Sequence, residues 1–138
     1  NQKLLDIFWG NSTQATELAE LTGNAEMAAS LNDIVRRVRE YVSRLGGYIA
    51  GNWPVRAQTW QIAGDLEDEA SAIIKTAQEL KVQVGPGVEG SQFQDWSESL
   101  IEAADYIWYH GTPSPSLNVA SEQKSKSDYE ALKAWAGV

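Results

Sequence analysis

An unbroken three-and-four spacing of apolar residues is the strongest pattern in the chain. It runs through Leu31, Ile34, Val35, Val38, Tyr41, Val42, Leu45, Tyr48 and Ile49. Because this spacing places one stripe on one face of a helix, it predicts a long amphipathic helix over 31–49. Ser30 is expected to cap its first turn, and residues 51–54 to end it. The Gly46-Gly47 pair predicts a bend or a close backbone approach, since each glycine costs a helix about 1 kcal/mol.

Four further patterns predict helices on either side of the long one. A short helix is expected over 13–21, ended by Thr22-Gly23-Asn24. Asp65 is expected to cap the next helix. The buried side of that helix is predicted to carry Leu66, Ala70, Ile73, Ile74, Ala77 and Leu80. A helix over about 92–109 follows, and a last one lies within 121–136.

Two segments between these helices predict other structure. The brief alternation at 81–84, followed by the glycine-rich 85–90, indicates a turn or an exposed loop and allows a small β-hairpin near 82–90. Thr112–Ser116 holds two prolines and predicts an extended tether. The 138 residues are expected to form a single helical domain, 1–138, because one core suffices at this length. The expected fold is all-α, a compact bundle of four to five helices, whose tethered C-terminal helix of about 121–136 is able to dock on a neighbouring subunit.

Composition excludes several classes of protein. The chain has no cysteine and a single histidine, which argues against disulfides, thiolate catalysis and the usual transition-metal sites. No apolar run approaches the roughly 18 residues that a membrane-spanning helix needs. The hydrophobic fraction of 43% and charged fraction of 22% are ordinary for a globular protein. We therefore expect no metal, no other cofactor and no membrane contact.

The net charge of −8 is concentrated in one part of the chain. Residues 65–105 hold ten acidic residues against only Lys75 and Lys81, whereas the two flanking segments are balanced. All five arginines lie between Arg36 and Arg56. Because nucleic-acid binding depends on neutralising phosphates, this chain is not expected to bind DNA over its surface. Its acidity suits instead a passage through which DNA moves without being held.

No residue set in the sequence nominates a catalytic reaction. The acidic residues at 65–69 lack the spacing and central glycine of a calcium loop, and the dipole at the start of a helix favours carboxylates in any case. His110 lies at the end of a predicted helix beside Tyr109 and near Asp105, where a general base can be imagined. The helix dipole stabilises a charged histidine at that position without any catalytic role. Since no nucleophile accompanies His110, we do not expect an enzyme.

Arginine and tryptophan supply the candidate association residues. The arginines of the long helix occupy mostly its polar side, where they form either a solvated face or a partner-binding face. Of the six tryptophans, Trp96 and Trp108 are in phase with the 92–109 helix and are expected in the core. Trp9, Trp53 and Trp60 lie in segments predicted to be irregular, where interface and core are about equally favoured. The residues predicted to contact other subunits or partner proteins are Arg36, Arg37, Arg44, Trp53 and Trp135.

Several short motifs resemble those of a tailed-bacteriophage family, the Mu-like head-tail joining proteins. The segment Glu17–Thr22 is similar to that family's short helix ending in a Leu-Thr step. Gly47–Val55, which reads Gly-Tyr-Ile-Ala-Gly-Asn-Trp-Pro-Val, resembles the Gly-Tyr-Leu-Ala-Gly-Arg-Tyr-Pro-Leu close of its long helix. Leu100–Gly111 looks like the second core helix of that family. Asp128–Trp135 is similar to the family's closing Tyr-x-x-Ala-x-x-Trp helix. The likeness covers roughly two thirds of the chain in order, and residues 57–94 depart from it.

This resemblance implies a structural virion protein with no enzymatic activity. Such an adaptor forms a homo-oligomeric ring under the portal and joins the capsid vertex to a neck, stopper or tail protein, while DNA passes through without specific binding. It would be made in the host cytoplasm and end at the head-tail junction of the virion. The alternative from a different class is a small acidic inhibitor or immunity-type protein, whose acidic 65–105 stretch meets a basic partner.

Overall fold

The protein is an all-helical bundle in the computed structural model, which describes residues 1–50, 56–85, 90–111 and 115–138. These ranges contain six helices and no strand. The helices are α1 (Gln2–Gly10), α2 (Ser12–Leu21), α3 (Ala25–Ala50), α4 (Arg56–Val84), α5 (Gly90–Gly111) and α6 (Pro115–Ala136). The all-α prediction is confirmed. The helix count exceeds the predicted four to five because α1, which was not predicted, is helical. None of the described helices carries an apolar stretch long enough to cross a bilayer.

The long helix α3 begins earlier than its apolar stripe suggested. Asn24 precedes its first turn, and the Asn24 Oδ1 atom accepts a hydrogen bond from the Met27 backbone N–H at 3.2 Å. Gly23, with a φ of +74°, makes the sharp turn from α2 that only glycine adopts readily. The predicted Ser30 cap is therefore wrong. Ser30 lies inside α3, where its hydroxyl donates to the Glu26 carbonyl at 3.2 Å.

Helix α4 likewise begins before its predicted cap. Asp65 is an exposed residue in the middle of α4, so the cap predicted there is wrong. The helix extends toward its N-terminus because Thr59 and Ala63 are buried in phase with the predicted apolar stripe. At its other end, residues 82–84 are helical, which contradicts a β-hairpin there, and Gly85 follows with a φ of +103°. Residues 86–89, the rest of that predicted turn, lie outside the described residues.

Helices α5 and α6 agree with their predicted positions except at the start of α6. Helix α5 spans the predicted 92–109 with a residue or two to spare, whereas α6 begins at Pro115 and not near 121. Proline suits a first helical position because it has no N–H to leave unbonded. The predicted extended tether is thus wrong for residues 115–116, and residues 112–114 are outside the described ranges. Contacts between Trp60 and Trp108 and between Glu67 and Asp105 indicate that α4 and α5 run antiparallel.

One hydrophobic core contains side chains from all six helices. Its centre is the buried face of α3, where the Tyr41 hydroxyl donates to the Leu100 carbonyl of α5 at 2.6 Å. Two polar contacts tie the end of α6 into the same bundle. The Arg39 Nε–H donates to the Ala136 carbonyl at 2.6 Å, and the Ser12 hydroxyl donates to the Trp135 carbonyl at 2.5 Å. The C-terminal helix therefore packs on its own chain.

At Gly46 a side chain of α6 lies directly against the backbone of α3. A Cβ atom added at Gly46 would lie 2.8 Å from the Tyr129 hydroxyl, whereas one added at Gly47 meets nothing within 4 Å. The close approach predicted from the glycine pair is therefore found at Gly46, where a tyrosine side chain makes it. Gly47 is exposed and leaves room for a side chain.

The two glycines should respond to alanine in opposite directions. Gly47→Ala is expected to raise the free energy of unfolding by about 0.5–1 kcal/mol, since alanine is the better helix former. Gly46→Ala is expected to lower it by about 1 kcal/mol, because the clash with Tyr129 outweighs the same gain. Urea denaturation of both variants measures this. Adding Tyr129→Phe to Gly46→Ala removes the clashing oxygen and should recover stability; a double variant no more stable than Gly46→Ala would contradict the steric explanation.

Candidate association surface

The predicted arginines lie on the polar side of α3, and they are engaged within their own chain. Arg36 is exposed and bridges Asp33 and Glu40 on the same helix, at 2.8 and 2.9 Å. Exposed pairs at this spacing add little to helix stability because water screens both charges, and the Arg36 guanidinium remains solvated. Its two carboxylate partners, held close to it, leave little net positive charge on this part of the surface.

Arg37 and Arg44 point instead to a neighbouring helix of the bundle. An Arg37 guanidinium N–H donates to the Thr76 hydroxyl of α4 at 2.5 Å, and Arg44 forms an ion pair with Glu69 of the same helix. Both contacts fasten α3 to α4, which carries many of the acidic residues of the 65–105 segment. The structure thus brings basic residues of α3 to the acidic segment within one chain.

Trp135 belongs to an aromatic cluster that closes the bundle. Its indole N–H donates to the Phe8 carbonyl at 2.7 Å, and its ring lies 5.0 Å from the Phe8 ring and 5.4 Å from the Trp96 ring. Trp9, predicted in an irregular segment, lies in α1 with only 3% of its surface exposed. The prediction of an irregular segment at Trp9 is therefore wrong. Trp53 lies outside the described residues.

Three exposed apolar side chains lie along the α4–α5 helix pair. Trp60, also predicted in an irregular segment, lies in α4 and is 71% exposed, with its ring 5.4 Å from that of Trp108. Val82 of α4 is 82% exposed and Ile101 of α5 is 38% exposed. We call the face that carries Trp60, Val82 and Ile101 the α4–α5 surface. Grouped exposed apolar residues are a common mark of protein contact sites.

A groove runs between the two helices on this surface. It encloses about 620 Å³ and has an apolar floor that includes Ile74, Phe93 and Ile101. The Lys81 ammonium lies 3.7 Å from the centre of the Phe93 ring, a cation–π contact at the groove wall. The Ser97 hydroxyl, which also lines the groove, is buried without a hydrogen-bond partner among the described residues. The groove thus combines apolar area with polar side chains such as Gln78 and Glu98 in its walls.

Two carboxyl groups meet across α4 and α5 close to the Trp60 end of the surface. Asp105 is half-buried and shares a hydrogen bond with Glu67. Burial, this hydrogen bond, and the charges of Glu67 and Glu102 raise the pKa of Asp105 from 3.8 to about 7. Beneath the pair, burial and nearby acidic groups also raise the pKa of Tyr41. Ionisation of acidic groups on this side of the bundle is therefore unfavourable, and a positively charged neighbour would make it more favourable.

The acidic side chains of the described residues do not form a metal site. Among them, no three acidic or histidine side chains converge in a way that could hold a metal ion. The predicted role of carboxylates at the start of a helix does not apply to Asp65, Glu67, Asp68 and Glu69, because they lie in the interior of α4. The side chain of His110 lies outside the described part of the chain.

Sequence reasoning left Trp60 open between interface and core, and it missed the Glu67–Asp105 pair and the groove. Once α4 is extended to Arg56, Trp60 lies at the edge of the buried stripe that runs through Thr59, Ala63 and Leu66, which favours the exposed alternative. The carboxyl pair and the groove depend on which α4 residue meets which α5 residue. The spacing of residues within one helix does not predict how α4 and α5 are aligned with each other.

Comparisons with known proteins give no relative: no family model, curated protein or solved structure matches the chain. The residues and contacts above are the basis on which a function is proposed.

Asp105 should make stability depend on pH. Because its pKa is raised in the folded chain, the folded form binds the proton more tightly than the unfolded form. Its favourable contribution is complete below the unfolded pKa of 3.8 and is lost as pH rises through about 7. Asp105→Asn, which carries no charge at any pH, is expected to be more stable than the parent at about pH 8, by about 1 kcal/mol after solvent screening.

Urea denaturation between about pH 5 and pH 8 measures this difference. The matched control is Asp68→Asn, which removes an exposed carboxylate from the same helix pair. Parallel stability profiles for the parent and Asp105→Asn would contradict the assignment of this titration to Asp105.

Proposed function

We propose that this chain is a structural virion protein, a head-tail adaptor of a tailed bacteriophage. It assembles as a ring under the portal and joins the capsid vertex to a neck, stopper or tail protein. It carries out no chemical reaction, and DNA passes through the ring without specific binding. Made in the host cytoplasm, it is incorporated at the head-tail junction.

The observation that carries the proposal is the α4–α5 surface. It exposes Trp60, Val82 and Ile101 beside a groove of about 620 Å³, whereas most large apolar side chains of the described residues are buried in one core. Removal of exposed aromatic and aliphatic side chains from water drives association, so these residues favour a subunit contact. A protein that acts by assembling needs such a surface, whereas a monomeric protein gains nothing from it.

The kind of assembly is suggested by the resemblance to Mu-like head-tail joining proteins. The motif segments fall on helices in the order that the resemblance implies: α2 ends at Leu21, and α3 includes the Gly-Tyr-Ile-Ala step through Ala50. Leu100–Gly111 forms the second half of α5, and Asp128–Trp135 lies in α6. The segment that departs from the family pattern, 57–94, forms α4 and the start of α5, and it contributes most of the α4–α5 surface.

The charge of the chain is compatible with DNA passage. Ten of the 19 acidic residues lie within 65–105, on α4, α5 and the segment between them. A carboxylate-rich surface repels phosphates, so DNA that moves past it is not retained. The Glu67–Asp105 pair contributes to this charge only in part, since the raised pKa of Asp105 keeps some of it protonated near neutral pH.

The same acidity supports the second candidate function, a small acidic inhibitor or immunity-type binding protein. In that case the carboxylates of α4 and α5 would meet a basic partner, and binding would weaken steeply with salt because exposed charges are screened. Ring assembly through apolar side chains depends less on salt. Association of the purified chain in low and high salt therefore separates the two functions.

Ring assembly should depend on the α4–α5 surface and not on exposed apolar residues in general. Trp60→Ser and Ile101→Ser are each expected to lower the association constant of a subunit contact by about tenfold, which corresponds to a loss of about 1.4 kcal/mol per contact. Leu21→Ser is the matched control, because Leu21 is 84% exposed on α2 and removed from this surface. Sedimentation velocity and electron microscopy of the concentrated chain, alone and with assembled portals, measure assembly.

A chain that stays monomeric at high concentration and also fails to bind portals would overturn the adaptor proposal. Rings that form equally well with Trp60→Ser, Ile101→Ser and Leu21→Ser would retain the ring but remove the α4–α5 surface as its contact.

A further inference from the structure

A second concave site lies on the opposite side of α5 from the groove, where α1, α5 and α6 meet. It is a pocket of about 270 Å³ whose walls include Trp9, Trp96 and Trp135. Pockets that take whole small molecules enclose about 300–1,000 Å³, so this one is sized for a single side chain or a fragment. We infer that it is the binding site for an arginine side chain presented by a partner protein.

The walls of the pocket favour a flat cation. Trp9 and Trp96 form a buried aromatic floor with ring centres 4.9 Å apart, and Trp135 lies half-buried beside Trp96. Indole is the strongest cation–π acceptor among side chains, and guanidinium stacks on it with little loss of solvation. Leu132 adds an aliphatic wall for the stem of a long side chain.

Asp95 supplies the opposite charge at the rim. Asp95 is exposed and lines the pocket. It forms no ion pair or hydrogen bond with the described residues. A carboxylate next to aromatic walls accepts two parallel N–H bonds from a guanidinium, a geometry that an ammonium cannot reproduce. The combination of indole and carboxylate therefore selects arginine over lysine.

Gly10 keeps the mouth of the pocket open. It is the last residue of α1 and lines the pocket, and its backbone is not in the left-handed region that favours glycine. A Cβ atom there would lie 3.4 Å from the Gln92 side chain across the opening. Glycine is thus not needed for the turn to α2, and what it provides is space at the entrance.

A second copy of this chain is a poor source of the arginine. Each arginine whose side chain is described already bonds within the chain: Arg36 to Asp33 and Glu40, Arg37 to Thr76, Arg39 to Ala136 and Arg44 to Glu69. Moving one of them into a neighbour's pocket would break these contacts. With a net charge of −8, the chain also attracts a basic protein more strongly than it attracts a copy of itself.

The inference can be tested with N-acetyl-arginine amide as a probe of the ¹⁵N-labelled protein. Its addition is expected to shift the indole N–H signals of Trp9, Trp96 and Trp135 in a saturable way and to leave that of Trp60 unchanged. N-acetyl-citrulline amide has nearly the same shape without the charge and should produce no saturable shift. N-acetyl-lysine amide should bind at least about threefold more weakly, a difference typical of one exposed charged contact. Equal responses to arginine and citrulline, or tighter binding of lysine, would overturn the assignment.

Four variants locate the site and separate binding from folding. Asp95→Asn is expected to weaken arginine binding about three- to fivefold, whereas Asp68→Asn should leave it unchanged. Gly10→Leu fills the mouth and should abolish binding. Gly10→Ala is expected to melt no lower than the parent, since alanine suits a helix better than glycine, which verifies that α1 tolerates a side chain there. Retained binding in Gly10→Leu, or no effect of Asp95→Asn, would rule out this pocket.

Dilution of the labelled protein alone tests the source of the arginine. Signals of Trp9 and Trp96 that stay constant with protein concentration support a different protein as the partner, and signals that move with concentration would overturn that part of the inference in favour of a second copy. The pocket does not depend on the adaptor proposal. It uses α1 and α6 and not the α4–α5 surface, so loss of ring assembly in Trp60→Ser and loss of arginine binding in Gly10→Leu are separate results.

Discussion

The apolar stripe of α3 is the constraint on which the rest of the bundle depends. Helix α3 has 26 residues and buries nine of its side chains along one face, more than a single neighbouring helix can cover. Helices α4, α5 and α6 cover it together, and each is held by a polar contact as well as by packing. Thr76 of α4 accepts from Arg37, the Leu100 carbonyl of α5 accepts from Tyr41, and the Ala136 carbonyl of α6 accepts from Arg39. The buried face of α3 and the polar residues beside it thus both stabilise the bundle and fix the positions of the neighbouring helices.

Sequence patterns predicted those helices whose apolar residues recur along one face, because that spacing indicates which side of the helix is buried. The stripes of α3 and α5 were long enough to be read directly, and Thr22-Gly23-Asn24 was recognised as the end of α2. Helix α1 was missed because nine residues give too few turns for a period to appear, and its stability comes from packing on α5 and α6. The Ser30 and Asp65 caps were wrong because capping preference is local, whereas burial of Met27 and Thr59 extends each helix beyond it.

The candidate sites were less accessible to such reasoning because they arise between helices. Arginines on a polar helix face look alike in sequence whether they meet solvent, a partner or the next helix. Arg37 and Arg44 turn to α4 because antiparallel packing brings Thr76 and Glu69 opposite them. The Glu67–Asp105 pair and the aromatic pocket have the same origin. Each joins residues far apart in the chain, and only the register of packed helices places them together.

The bond between the Trp135 indole and the Phe8 carbonyl spans 127 positions of the chain. Helix α1 is synthesised before α6, yet its aromatic residues are covered in part by that later helix. Until α6 has left the ribosome, Phe8 and Trp9 have no complete shelter from water or from other chains. Partly made chains that expose aromatic surface are prone to aggregate, so the order of synthesis sets a period of vulnerability for this protein. Completion of α6 therefore protects the aromatic residues of α1 from aggregation, in addition to completing the packing of the bundle.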